Sequence, residues 1–529
     1  MTKTILNIDS REFEEKYGIS SPAAKLICAA GLNDEQISDL LSHDMEILTS
    51  QSECVRKCCE ILMECKKNKT KVFVGGDYDA DGITSTAIMK DILDRLGIEN
   101  GYYIPDRFKE GYGLKPETVE LAVRKGYGLI ITVDNGVSAF DAIEKCHELG
   151  VPVIVTDHHR IEQKIKADLV VHPDYMEEEF AYLSGAGVAL QISRSLLGEI
   201  DRHTALCAIA LLGDVMPLWR QTRRIVRKGL DLLNQGVLPS VTAMLYNGSY
   251  VTRNSVAFQI VPKLNSVGRM NDMSNVNTLV PFLLSTDQQQ IDSYVRQLDN
   301  VNQVRKNLSA VMTRQCEDML DDSLMPVLFR EDFHEGICGL AAGKIANMEH
   351  RPVLVMAKSG GMIKGSGRSV PGFDIFEFFS DFEELESFGG HEQAVGLSIM
   401  EESFDSFRRH VREKMAAAGF VFKEQEETAI RIGSDDMTLE NVLDVEALEP
   451  LPKELGDAVF AIEDLVVRDI YESPKITRYH FLNQSGGFDG LLFASVSPAV
   501  SQPQCIFGRL SVNRWKTNVI PQVEITDLL

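Results

Sequence analysis

Gly75-Gly76-Asp77-Tyr78-Asp79-Ala80-Asp81-Gly82 follows the apolar run 71–74, and two further acidic clusters repeat the arrangement. Val133-Asp134-Asn135-Gly136 closes the run 129–133, and Thr156-Asp157-His158-His159 closes the run 151–155. Short Val/Ile-rich runs bounded by Gly or Pro read as strands buried on both faces, and helical patterns separate these three. The alternation predicts an α/β domain with a parallel sheet. Ligands of such sheets bind beyond the carboxyl ends of the strands, so the three clusters are expected to converge on one crevice.

Working outward, helices are expected over residues 1–70, feeding a first strand at 71–76. A helix from Ile83 to Leu96, a strand near Tyr102–Pro105, a helix after Pro116, a strand at 129–134, a helix at 138–149 and strands at 151–156 and 168–171 follow. The stretch 200–235 reads as helices and carries Leu212-Gly213-Asp214-Val215-Met216-Pro217. Asp287 to Arg314 has no Gly or Pro and regular apolar spacing, which predicts a long connecting helix. A second α/β segment follows, with a strand at 352–357 and the Gly-rich pieces Gly365-Ser366-Gly367-Arg368-Ser369 and Gly389-Gly390-His391. Beyond about residue 425, short β-type runs between polar turns predict a small all-β, OB-like domain. The expected domains are therefore 1–70, 71–235, 236–320, 321–424 and 425–529.

Composition excludes several classes. At 529 residues the chain is too long for a single core. No apolar stretch approaches the ~20 residues needed to span a bilayer, and the N-terminus lacks a signal-peptide core, so a cytoplasmic protein without membrane contact is expected. The ten cysteines form no Cys-x-x-Cys pair, and the helical spacing of Cys54, Cys58 and Cys65 reads as a buried helix face. A formal charge of −24 argues against a broad basic face for duplex DNA but leaves room for a narrow basic channel. The basic run Arg220, Arg223, Arg224, Arg227 and Lys228, and the pair Arg305 and Lys306, read first as solvated helix faces.

Asp-x-Asp-x-Asp-Gly also begins an EF-hand loop, but the twelfth position here is Ile88, where a bidentate Glu is required. The pairs His334-Glu335 and His391-Glu392 lack the second histidine of a zinc protease, and Leu190 interrupts a dinucleotide fingerprint at Gly185-Ala186-Gly187. Any single carboxylate at a strand end is most simply a helix cap. Asp79, Asp81, Asp134, Asp157, His158 and Asp214 together are not, because like charges are costly to assemble without a neutralising cation. Two divalent ions about 3.5–4 Å apart would neutralise them, with one carboxylate bridging, and would activate a water for attack on a phosphoester or phosphoanhydride. A histidine ligand favours Mn²⁺, while Mg²⁺ also serves.

At these residues the chain resembles the DHH phosphoesterase family and, within it, the single-strand-specific DNA exonucleases. The three acidic clusters stand in the family's order. Ile104-Pro105-Asp106-Arg107, Gly111-Tyr112-Gly113-Leu114, Ser184-Gly185-Ala186-Gly187, Asp214-Val215-Met216-Pro217-Leu218 and Asn265-Ser266-Val267-Gly268-Arg269-Met270 are similar too. So are His334-Glu335-Gly336, the 365–369 and 389–391 pieces, and Gly508-Arg509-Leu510 with Asn513-Arg514-Trp515-Lys516, so that the likeness covers nearly the whole chain.

The resemblance implies that Asp79 and Asp134 hold one metal ion, that Asp81, Asp134, His158 and Asp214 hold the other, and that Asp77 is a ligand or supports one. His159 would face the scissile phosphate, and Asp157 would orient an imidazole. Arg107, Arg269, Ser366, Arg368 and His391 would bind substrate phosphates, where a guanidinium fork suits the oxygens better than a surface ion pair would. A lid over the crevice would admit a single strand, with Tyr112, Phe373 and Trp515 as stacking candidates against an ordinary core role. The 5′→3′ polarity, 5′-phosphate preference, release of mononucleotides and a place in DNA repair or recombination are implied by the resemblance alone. A monomer is expected, with single-stranded DNA, a single-strand-binding protein or a helicase as partners.

Gly213 stands where many relatives have Ala, a change that should leave Asp214 intact. The chain also stops shortly after the OB-like segment, as in a compact form of such enzymes. Two alternatives are a DHH hydrolase of short oligonucleotides or a small phosphoanhydride, and a non-catalytic replication or repair scaffold. Retention of every motif carboxylate weighs against the scaffold.

Overall fold

The computed structural model describes residues 3–108, 110–111, 113–246, 249–422, 427–456, 458–493, 499–515 and 518–529. They divide into two compact units, one of Leu48–Met216 with Ile225–Glu424, the other of Met1–Ile47, Pro217–Arg224 and Gln425–Leu529.

The larger unit begins with a five-stranded, wholly parallel sheet. Its order is Asn100–Tyr103, Lys71–Gly75, Tyr127–Val133, Val153–Thr156 and Leu169–Val171, so the first strand lies inside and the chain reverses direction across it. That reversal sets the crevice at the carboxyl ends of Lys71–Gly75 and Tyr127–Val133. Val72, Val74, Ile130, Ile131, Val153, Ile154 and Val155 are fully buried, as two-sided strands require. Helix Ala80–Leu96 starts three residues earlier than its apolar pattern indicates, because Asp79 caps it by accepting from Gly82 N–H at 3.0 Å. Helices Gly185–Leu197 and Asp201–Gly213 pack against it.

The connecting helix runs from Gln288 to Glu317, capped by Asp287, and at about 1.5 Å per residue spans about 45 Å. Its buried stripe includes Ile291, Leu298, Val301, Met312 and Cys316. A second five-stranded sheet follows, ordered Leu385–His391, Ala394–Met400, Met362–Arg368, Val353–Ser359 and Val327–Arg330, with only the last pair parallel. Phe373, a stacking candidate from sequence, belongs to this domain's core instead: it is 4% exposed and packs against Phe378, Phe420 and Phe422. A ring closed in by other rings offers no face to a base.

The smaller unit holds an eight-stranded mixed sheet, the OB-like β region. Its first strand is Lys3–Leu6, which pairs in parallel with Glu427–Gly433. The N-terminal segment is therefore not purely helical, and its first 47 residues group with the C-terminal β region rather than standing before the catalytic domain. That pairing joins residues more than four hundred positions apart, which no local pattern reports. The β region is also interrupted by helix Leu439–Ala447. The basic run near 220 is a structural staple here. Arg223 is 1% exposed and donates to the carbonyls of Leu40, Leu448 and Pro450, while Arg220 pairs with Glu35 and Arg224 with Asp44. Cys54, Cys58 and Cys65 do lie on a buried helix face. No helix among the described residues is long and apolar enough to cross a membrane.

Candidate metal centre and phosphate-binding arginines

The three acidic clusters meet as the topology requires. Asp77, Asp79 and Asp134 place one oxygen each within 4.8 Å of one another, and ligand atoms of Asp81, His158 and Asp214 do the same. His158 Nε2 faces Asp134 Oδ1 at 3.2 Å, Asp214 Oδ2 at 3.5 Å and Asp81 Oδ2 at 3.6 Å, which ties the two groups together through Asp134. Asp134 is held there by a left-handed backbone, φ +60°, just past the end of its strand. Its side chain is packed so tightly under the next helix that a Cβ on Gly185 would lie 2.5 Å from its own Cβ.

Asp81 has a second task. Its Oδ1 accepts from Ser184 Oγ at 3.0 Å and Ala186 N–H at 2.8 Å, and its Oδ2 from Gly185 N–H at 2.8 Å. The positive end of helix Gly185–Leu197 thus clamps the carboxylate and fixes its direction. Asp157 is fully buried and spends both oxygens: Oδ1 accepts from His158 N–H, His159 N–H and His159 Nδ1, the last at 2.8 Å, and Oδ2 from Val137 N–H. It therefore orients His159, not His158, and His172 Nε2 holds the His159 carbonyl from behind at 2.9 Å.

The electrostatics are those of like charges gathered in a buried place. Burial pushes the carboxyls of Asp77, Asp79 and Asp134 up, and the neighbouring carboxylates push them further. Asp214 is raised to about 8 for the same two reasons. Burial lowers His158, whereas at His159 the Asp157 carboxylate outweighs burial and raises the imidazole to about 9. Asp77 Oδ1 is buried with no hydrogen-bond partner among the described residues. Such an atom is costly unless something binds it. Oxygen ligands with one imidazole fit a hard or borderline divalent cation.

A complementary cluster stands in the same unit. The Arg107 guanidinium lies over the Tyr78 ring at 5.0 Å. Burial, together with repulsion from Arg107, Arg368 and Arg305, drives Arg269 down to about 9, and burial and Arg107 lower Arg368. Arg368 Nη1 donates to Ser366 Oγ at 3.1 Å, and both side chains press against the first turns of helix Glu335–Glu349, where a Cβ on Gly339 would lie 2.9 Å from each. None of these four arginines has a carboxylate partner among the described residues, so the surface ion-pair alternative fails. His391 stands apart, exposed at the end of its strand, accepting from Gln393 N–H. Tyr112 lies outside the described residues, as does the Trp515 side chain.

Sequence reasoning missed four contributors. Arg305, read as a solvated face, donates to buried Asn302 and faces the cluster. Lys364 reaches the Phe108 carbonyl at 3.2 Å across the two domains of this unit. Asn135 bridges Gly75 O, Val133 O and Leu114 N–H, locking two strand ends together, and Ser184 clamps Asp81. Asn135 and Ser184 lay inside quoted motifs, so their position was a signal; Arg305 and Lys364 carried none.

Residues 71–213 match the DHH family N-terminal domain, and residues 322–417 match the DHHA1 domain. These are the paired domains of a DHH phosphoesterase. The chain belongs to the RecJ family within that class: it is 33% identical over 400 residues to the single-stranded-DNA-specific exonuclease RecJ of Escherichia coli, covering 68% of each protein. It is 28% identical over 548 residues to RecJ of Bacillus subtilis, covering 98% of this chain and 69% of that one. The crystal structure of Thermus thermophilus RecJ in complex with Mn²⁺ superposes with a TM-score of 0.83 at 26% identity, covering 100% of this chain and 79% of the other.

Proposed function

We propose that the chain is a metal-dependent exonuclease that hydrolyses single-stranded DNA from the 5′ end and releases mononucleotides, in repair or recombination. The observation that carries this is a buried cluster of carboxylates and an imidazole whose ligand atoms lie within 4.8 Å of one another, in the same unit as four mutually close arginines, in a member of the RecJ family. Asp77, Asp79 and Asp134 would hold one divalent ion, and Asp81, Asp134, His158 and Asp214 a second, Mn²⁺ preferred or Mg²⁺. Bound there, such a pair supplies an activated water and stabilises charge on the phosphoryl oxygens.

The chain's own residues do the rest. Asp157 holds the charged His159 imidazole in place, where it can donate a hydrogen bond to a non-bridging phosphate oxygen. Arg107, Arg269 and Arg368 would offer forked donors to the terminal phosphate and Ser366 a single hydroxyl, with His391, exposed at its strand end, as a further candidate. The lack of a side chain at Gly185 lets the start of helix Gly185–Leu197 pack directly against Asp134. The test is digestion of strands labelled at either end, with Mn²⁺ or Mg²⁺, against matching duplexes. Mononucleotides released first from the 5′ label of single strands are expected; preference for a dinucleotide, or for duplex, would refute the assignment. Asp134→Ala should abolish release while leaving the fold intact, and retained activity would refute the two-ion arrangement.

A further inference from the structure

Phe258 and Val215 are, after Val421, the most exposed large apolar side chains of the larger unit, at 73% and 71%. Val215 directly follows Asp214 and is held at φ +55°, a left-handed conformation that a β-branched residue adopts only under strain. Phe258 sits in the π-helical turn Val256–Ile260, a rare geometry that collects at functional sites. Its neighbours Val256 and Ile260 are buried, so the turn is anchored while its aromatic ring is pushed outward.

Two contacts place this turn at the rim. It runs directly into helix Val261–Arg269, whose first residue lies so close to Gly213 and Ala80 that a Cβ on Gly213 would be 3.2 Å from Val261 Cγ2 and 3.3 Å from Ala80 Cβ. Gly213 precedes Asp214, and Ala80 follows Asp79. The far end of the same helix delivers Arg269 to the arginine cluster. Tyr246, half-exposed, is tied to the turn because its N–H donates to Gln259 Oε1.

We infer that Val215 and Phe258 form an apolar lip on which a base of the single strand rests while its phosphate lies over the acidic cluster. This inference rests on the proposed exonuclease activity. The occupant is a base of that strand, because the lip is continuous with the metal-binding rim and with the helix that ends in Arg269. A base offers a π-face to an exposed ring whatever its sequence.

The experiment compares kcat/KM of the full chain and of Phe258→Ala on two 5′-phosphorylated strands, one ordinary and one abasic over its first three nucleotides. Loss of one stacked base is expected to lower the ordinary-strand value about tenfold, with less than a twofold loss on the abasic strand, and Phe258→Trp should restore the ordinary value. Equal losses on both strands, or none, would overturn the lip. So would a wild-type dimer that dissociates in Phe258→Ala with kcat/KM unchanged, which would assign the patch to a second copy. Failure of the wild-type chain to cut either strand would instead overturn the exonuclease activity itself.

Discussion

Asp134→Asn separates what the acidic cluster does for chemistry from what it costs the fold. Without a cation, Asp134 is 2% exposed, and burial together with Asp81, Asp79, Asp77 and Asp157 opposes its ionisation. An amide has the same shape, tolerates the φ of +60° as well as Asp does, and can donate to the His158 ring nitrogen 3.2 Å away. Removing one member of a buried like-charged group should stabilise the metal-free protein by about 2 kcal/mol, which is about 2–3 °C for a unit of this size. The sign with pH follows from the raised folded pKa. The wild-type penalty is absent at pH values low enough to protonate the unfolded chain as well, and it grows as pH rises through the carboxylate range toward neutrality. The difference between variant and wild type should therefore widen from pH 4 to pH 7. Thermal unfolding with and without Mn²⁺ measures it. Wild type should gain stability from Mn²⁺, and Asp134→Asn should start higher and gain almost nothing. A variant less stable than wild type without metal, yet still stabilised by Mn²⁺, would show that Asp134 is neither strained by its neighbours nor a ligand.

Other expectations follow from the same geometry. Asp214, raised to about 8, is largely protonated at pH 7 without metal, so Mn²⁺ binding at that pH should release protons and tighten as pH rises toward 8. Calorimetric titration in buffers of different ionisation enthalpy reads this directly, and zero proton release would contradict it. Gly185→Ala forces a Cβ into the Asp134 side chain and should cost at least about 2 kcal/mol in denaturant unfolding while erasing the Mn²⁺ stabilisation. Arg269→Met should raise KM for a 5′-phosphorylated strand and flatten the dependence of log affinity on log salt by about 0.7; an unchanged slope would remove Arg269 from the phosphate contacts. Away from the site, Asp91 binds His203 at 2.8 Å and Arg95 at 2.6 Å, partners that outweigh burial and bring it to about 2. That depressed value stabilises the fold by about 2 kcal/mol above pH 4 and is lost as pH falls toward 2, so Asp91→Asn should destabilise at pH 7 and much less at pH 2.

How much of this was legible in the sequence depends on how local each feature is. The parallel sheet and the convergence of Asp77, Asp79, Asp81, Asp134, His158 and Asp214 were readable, because each strand announces itself in a few residues and its carboxyl end carries its own cluster. The extra helical turn before Ile83 was hidden, since Asp79 spends its carboxylate as a cap and as a cluster member at once. The pairing of Lys3–Leu6 with Glu427–Gly433 was not readable, because an edge strand is defined by its partner. Aromatic residues were the weakest guide. Phe373 carries the same side chain as Phe258, yet one is packed among rings and the other stands in solvent, and only tertiary contacts separate them.

The formal charge of −24 is compatible with a nucleic-acid substrate because charge acts at the range of a Debye length, about 8–10 Å. Burial, together with repulsion from Arg107, Arg368 and Arg305, lowers Arg269 to about 9, so each phosphate that enters would relieve repulsion as well as gain hydrogen bonds. The carboxylate cluster is under the opposite strain and is relieved only by cations. Arg107 lowers the Asp77 carboxyl but does not outweigh burial and Asp79, which keep it raised, while Asp81 and Asp157 are committed to donors of their own domain. The two strains therefore persist in the free protein, and a phosphate backbone arriving with divalent ions satisfies both at once. The net negative charge would then disfavour adventitious contacts along the strand and leave the arginine-lined crevice as the proposed place for a phosphate.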